Sequence, residues 1–206
     1  WAISTSRSTV LIYHSVKTYE RTGNSQVGLL KIYCAYTNPS DATLISLQPY
    51  IDQSTFIDCS DDKWAYVKHF QRRWSKGEGF INVEHDICFW PGAIESLIAC
   101  PRAFCWFDDQ WALKASRKNY ARFGLVKLSA YLISQTKDVW DDLLRRYEPI
   151  DPPSPWNMCD TFFFDYVRDH TEITPHEHTP GTINVNTTYY RSMISSIRQE
   201  LSCSTG

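Results

Sequence analysis

No charge of one sign dominates this chain. Lys and Arg number 21 and Asp and Glu 23, a formal net charge of −2 over 206 residues. Such a chain has no global basic field to draw in nucleic acid, so any such binding has to come from a local patch. No apolar run approaches the roughly 18 residues that a membrane-spanning helix needs, and no secretory leader is visible. No two cysteines have the C-x-x-C spacing of a zinc ribbon. Internal repeats and low-complexity tracts are lacking too. What is present is 43% hydrophobic and 15% aromatic residues, the composition of a packed globule with a sizeable core. The seven cysteines, Cys34, Cys59, Cys88, Cys100, Cys105, Cys159 and Cys203, are an odd number and lie mostly in apolar surroundings. They read as reduced thiols of a cytoplasmic protein, with a local Cys100–Cys105 bridge left open.

Strand-like and helix-like stretches alternate, most clearly in the middle of the chain. Residues 9–16 and 27–36 read as strands, and 42–47 as a short helix or strand. Residues 55–59 form a strand ending in Asp58. Trp64, Val67, Phe70 and Trp74 recur at helical spacing, and Gly77 and Gly79 close that helix. Residues 80–83 form a buried strand, and Pro91 opens a helix. Residues 103–107 and 123–128 are strands, and 129–135 and 139–147 helical pieces. Pro149, Pro152, Pro153 and Pro155 predict an extended connection. Residues 159–169 then form a helix, 174–180 a His-rich loop, 182–186 a short strand and 189–201 a last helix. The pattern predicts an α/β domain with a mainly parallel sheet flanked by helices and ligands at the carboxyl ends of strands.

Three stretches carry candidate chemistry. In FINVEHDI a buried strand runs into Glu84, His85 and Asp86. Side chains alternate along an extended chain, so both carboxylates are expected on one side. Hard oxygen ligands suit Mg²⁺ or Mn²⁺, ions that also hold phosphate oxygens. The stretch therefore points to a phosphorylated substrate such as a nucleotide-sugar. Asp86 is the better ligand candidate, and Glu84 a ligand, a holder of a sugar or ribose hydroxyl, or a group that acts through water. His85 points the other way on a regular strand and reads as packing or as a support behind the ligands. PHEHTP, with His176 and His178, is either a surface loop or a loop that folds back to complete a metal shell. In WNMCD, Asp160 is either a helix N-cap or a catalytic base that takes the acceptor's proton.

Taken together, these stretches resemble glycosyltransferases encoded by bacteriophages. The resemblance rests on the run FIDCSDDKWAYVKHFQRRWSKGEGFINVEHDICFWPGAIESLIACPRAFCWF, with its V-E-H-D motif and its C-P-x-x-x-C block. It extends through FGLVKLSAYLI, VWDDL, WNMCDTFFFDYV and the late P-H-x-H loop in PHEHTPGTINVN. It spans roughly residues 55–186, and Phe104 stands where a tryptophan is usual. It implies a single GT-A-like, Rossmann-like domain over residues 1–206, with residues 1–8 set aside as disordered or added. By the same resemblance Glu84, Asp86 and His176 or His178 hold Mn²⁺ or Mg²⁺. Asp160 is the base of an inverting reaction, and Tyr13 and Asp58 contact the nucleoside. A UDP-sugar leads among the donors.

The basic stretch KASRKNYAR, with Lys114, Arg117, Lys118 and Arg122, is a solvated loop or a grip on a polyanionic acceptor. A hydroxymethylated base of phage DNA and a hydroxyl of a virion protein are both admitted as acceptors. The expected location is the cytoplasm of an infected bacterium, with no membrane partner. A metal-dependent phosphoesterase and a non-catalytic nucleotide- or sugar-binding module are the rival readings.

Overall fold

The computed structural model describes residues 30–38, 40–109, 123–152 and 155–184. The expected strand at 9–16, the last helix at 189–201, Tyr13 and the basic stretch at 114–122 lie outside them. The strands are β1 (Lys31–Tyr36), β2 (Ser54–Asp58), β3 (Phe80–Glu84), β4 (Ile87–Cys88), β5 (Phe104–Asp109), β6 (Leu125–Leu128) and β7 (His176–Asn184). The helices are α1 (Asp41–Leu47), α2 (Ala65–Trp74), α3 (Ala93–Ala99), α4 (Ala130–Gln135), α5 (Val139–Tyr147) and α6 (Pro155–His170). Two short 3₁₀ turns follow α1 and α5.

The main sheet runs β2-β1-β3-β6-β5-β7, and the far end of β7 adds the two-residue β4. β2, β1, β3, β5 and β7 share one direction, with β6 and β4 opposed. This is the mainly parallel α/β sheet that the sequence predicts. The chain leaves β1 in one direction through α1 to β2, then returns through α2 to β3 on the other side of β1. That reversal makes the carboxyl ends of β1 and β3 the switch point where open α/β sheets bind ligands.

The sheet separates two cores. One face carries Tyr33, Ala35, Phe80, Phe104, Trp106, Val126 and Leu128, packed under α2, α4, α5 and α6. The other carries Ile32, Cys34, Ile81, Val83, Cys105, Phe107 and Leu125, packed under α1 and α3. The aromatic stripe of α2 is core, as its spacing predicts: Trp64, Phe70 and Trp74 are buried. Phe70 stacks on Trp140, with ring centroids 4.9 Å apart, and Trp140 stacks on Phe163 at 5.3 Å. Local signals set the helix starts: Ser40 caps α1 by accepting from the Thr43 N–H at 3.1 Å, and Ser129 caps α4 through the Leu132 N–H at 3.1 Å.

Two expected elements differ. The proline-rich connection is not wholly extended. Pro149 sits in a 3₁₀ turn, and Pro155 is the first residue of α6, where its missing N–H costs nothing. The His-rich loop is strand instead: His176 and His178 pair along β5, because the open edge of β5 offers backbone donors and acceptors that need partners. Cys105 pairs with His176 and Phe107 with His178, but Asp109 pairs with Thr182. The surplus on β7 is absorbed in a bulge around Pro180, which has no N–H to give the ladder.

Candidate functional site

Three strands bring their carboxyl ends together at the switch point. Tyr36 lies in register with Asp58, and Ala35 with Glu84. The turn after β3 is clamped to the start of α1. The His85 carbonyl accepts from the Ser40 N–H at 2.9 Å and from the Thr43 hydroxyl at 2.9 Å.

Glu84 faces the α2–α6 side, where one of its oxygens, Oε1, takes two donors. The Tyr66 hydroxyl donates at 2.6 Å and the Trp156 indole N–H at 3.1 Å. The buried Asn82 amide donates to the Tyr66 oxygen at 3.3 Å and to the Phe123 carbonyl at 3.0 Å. Trp156 lies flat on Tyr66, with centroids 3.8 Å apart, and meets the His85 ring edge-on at 5.3 Å. Burial first, and then the Glu84 charge, hold the Tyr66 hydroxyl well above its usual pKa, so it remains a donor to Glu84. Neither Tyr66 nor Asn82 stands out in the sequence as a site residue. Tyr66 is hidden among the aromatics of α2, and only its hydroxyl, adding a polar tip to a buried ring, hints at a partner.

The strand ends at Glu84, and His85 and Asp86 form a turn. The two-residue alternation that would put both carboxylates on one side therefore stops before Asp86. Asp86 is half-buried at the switch point, within electrostatic reach of Cys34, whose thiol burial pushes up to about 12 with Asp86 adding to the rise. His85, expected on the side away from the carboxylates, sits in the turn with its ring against Trp156, the partner of Glu84; burial lowers its pKa against the opposing pull of Asp86.

Asp58 is exposed and accepts from the Ser60 N–H at 2.9 Å and the Ser60 hydroxyl at 2.6 Å. Those bonds hold its carboxyl below the usual range. Asp160 is not a helix N-cap. Because α6 begins at Pro155, Asp160 lies inside the helix and accepts from the Thr161 N–H at 2.6 Å. It stands one turn beyond Trp156 on the same face, and so on the Glu84 side of the sheet.

The histidines do not join Glu84. His178 is in register with Phe107, and through Leu125 with Val83. Three strand spacings, roughly 14 Å, thus separate β7 from β3 at that level. His178 also lies on the opposite sheet face, its ring 4.9 Å from Phe107. The late block does fold back to the acid turn, but what arrives is the far end of β7, pairing Asn184 with Ile87 and Ile183 with Cys88. Among the described residues, the one group of three His, Cys or acidic side chains with ligand atoms close together is Cys100, His176 and His178. Cys100 and Cys105 are free thiols.

A divalent ion shared with a diphosphate needs only one or two protein carboxylates. Asp86, at the switch point, fits as such a ligand. Glu84, anchored through Oε1, fits better as the group that orients the site.

No protein-family model matches the sequence, and no curated protein matches it. Among solved structures, the chain is similar to a glycosyltransferase involved in the glycosylation of the major capsid of PBCV-1. The identity is 13% and the TM-score 0.50, over 79% of this chain and 96% of that one. The fold is glycosyltransferase-like. The similarity agrees with the α/β architecture, a mainly parallel sheet flanked by helices, expected from the sequence. No helix among the described residues is long and apolar enough to cross a membrane.

Proposed function

We propose that the chain is a glycosyltransferase that moves a sugar from a nucleotide-sugar, foremost a UDP-sugar, to an acceptor hydroxyl. The observation that carries this reading is an acidic turn, with Glu84 and Asp86, at the switch point of a glycosyltransferase-like sheet. Asp86 is the residue that would hold Mn²⁺ or Mg²⁺. The chemistry such an ion supplies is neutralisation of charge on the departing nucleoside diphosphate. Glu84, fixed by Tyr66 and Trp156, orients the donor. The acceptor oxygen attacks the sugar carbon from the face opposite the diphosphate as the bond to the diphosphate oxygen breaks, a single displacement that inverts the anomeric centre, and Asp160 takes the acceptor's proton. In a phage setting the acceptor is a hydroxymethylated DNA base or a virion protein.

The test is a heat-stability screen of wild type and Asp86→Ala against UDP, GDP, CDP and their sugars, with and without Mn²⁺. A shift specific to one nucleoside, dependent on Mn²⁺ and lost in Asp86→Ala, is expected. No shift with any nucleotide would return the chain to the phosphoesterase and binding-module readings. Asp160→Asn is expected to bind donor normally and to lose transfer by at least about 100-fold; unchanged transfer would leave Asp160 a structural residue of α6.

A further inference from the structure

We propose that Cys100, His176 and His178 form a zinc site on the sheet face opposite Glu84, pinning the start of β7 to the α3–β5 connection. Each of the three offers a ligand atom, and all those atoms lie within 4.8 Å of one another. Bond lengths of about 2.0–2.3 Å around tetrahedral zinc place ligand atoms roughly 3.3–3.6 Å apart, so closure needs a movement of about an ångström. The backbone already brings the three together. His176 and His178 are two apart on β7 and project to one side, with ring centroids 4.7 Å apart at 78°. Cys100 ends α3, where its N–H still bonds to Ser96 and Leu97.

Ligand type favours zinc over the Mn²⁺ or Mg²⁺ of the proposed donor site, since one thiolate and two imidazoles suit borderline-soft ions. A second observation points to a ligand. His178 Nε2 is buried with no hydrogen-bond partner, a condition that ordinarily costs about 1–3 kcal/mol. A metal relieves that cost if it binds at Nε2, or if its binding at Nδ1 reorients the ring. His176 is exposed and leaves a path for the ion to enter.

Metal binding replaces the Cys100 thiol proton, which goes to solvent, and leaves three protein ligands. The fourth position falls to water; the Cys105 thiol lies beside the site, hydrogen-bonded to Cys100. The buried Lys127 ammonium donates to the Cys100 carbonyl. Its charge repels a dication, so the site needs the Cys100 thiolate to bind tightly.

The site does not depend on the donor reading, and cobalt separates the two. The full chain, freed of metal with a chelator, is titrated with Co²⁺ and then with Zn²⁺. One equivalent of Co²⁺ is expected to give intense tetrahedral d–d bands and a thiolate-to-cobalt charge-transfer band, both erased by one equivalent of Zn²⁺. Cys100→Ser should lose the charge-transfer band, and His178→Ala should weaken zinc binding more than about 100-fold. Asp86→Ala should behave as wild type here whatever it does to nucleotide binding. Absence of the cobalt bands in the wild-type chain, which needs no variant to fold, overturns the proposal. So does a charge-transfer band that persists in Cys100→Ser, or one lost in Asp86→Ala.

Discussion

Glu84 takes the Tyr66 hydroxyl and the Trp156 indole N–H on one oxygen, and the two bonds help to fix its position. Tyr66→Phe removes the shorter bond and leaves Asn82 without one of its acceptors. A hydrogen bond to a charged group contributes about 1.5–3 kcal/mol, so chemical denaturation of Tyr66→Phe should show a loss of that size. Nucleotide binding should weaken along with it. Equal stability in the two proteins would mean that Glu84 is held by something other than Tyr66. His69 provides a second test at this scale. It is buried against Tyr33, Phe70 and Phe80, and burial first, then Arg73 and Arg72, pushes it from 6.5 down to about 4. The folded chain refuses a proton that the unfolded chain accepts. Its contribution is therefore complete above pH 6.5 and is lost as pH falls toward 4, by an order of 3 kcal/mol. His85 and His178 are shifted the same way by burial, so the comparison to make is between wild type and His69→Leu. Urea midpoints at pH 7 and pH 4.5 should diverge less in the variant. An identical pH slope would place the titration elsewhere.

Among the elements, the stop of α2 is the most sharply defined. Gly77 adopts φ +66° with open space around it, whereas a Cβ on Gly79 would lie 2.9 Å from the Ala130 backbone nitrogen and 3.1 Å from the Leu128 carbonyl. The two glycines are thus needed for different reasons. Gly77→Ala meets only the left-handed backbone penalty, about 1–2 kcal/mol. Gly79→Ala instead forces β3 away from the β6–α4 corner, against backbone atoms that cannot swing aside, at about 1–3 kcal/mol, and thermal denaturation should rank it as the more damaging. The reverse order would mean that the corner yields easily. Element by element, the sequence was readable where one face is buried. The α2 stripe and the apolar run of β3 announce themselves, whereas the caps that Ser40 and Ser129 supply to α1 and α4 went unread. The errors have physical causes. Pro155 reads as a breaker but works as a helix opener. HEHT reads as a loop because its prolines outweigh a strand signal that comes only from the open edge of β5.

For the whole molecule, the expected metal shell failed to assemble around Glu84 because sheet faces are a global property. Glu84, His176 and His178 each occupy a position that local pattern can suggest. Which face each presents depends on the register across β3, β6, β5 and β7, and no short stretch encodes that. The acidic turn itself was legible as the end of a buried strand, while the Asn82–Tyr66–Glu84–Trp156 chain was not, since its members come from three elements, β3, α2 and α6, far apart in the sequence. The strand order has one more effect, on how the chain is made. β3 sits at the centre between β1, which precedes it by two helices, and β6, which follows α3 and β5. During synthesis the first three strands can pair as soon as β3 appears, but the other edge of β3 then waits, apolar and unpaired, until Leu128 has emerged. A ribosome that stalls between those points releases a half-sheet with a sticky central edge. The interval before β6 is therefore where this protein most needs a chaperone.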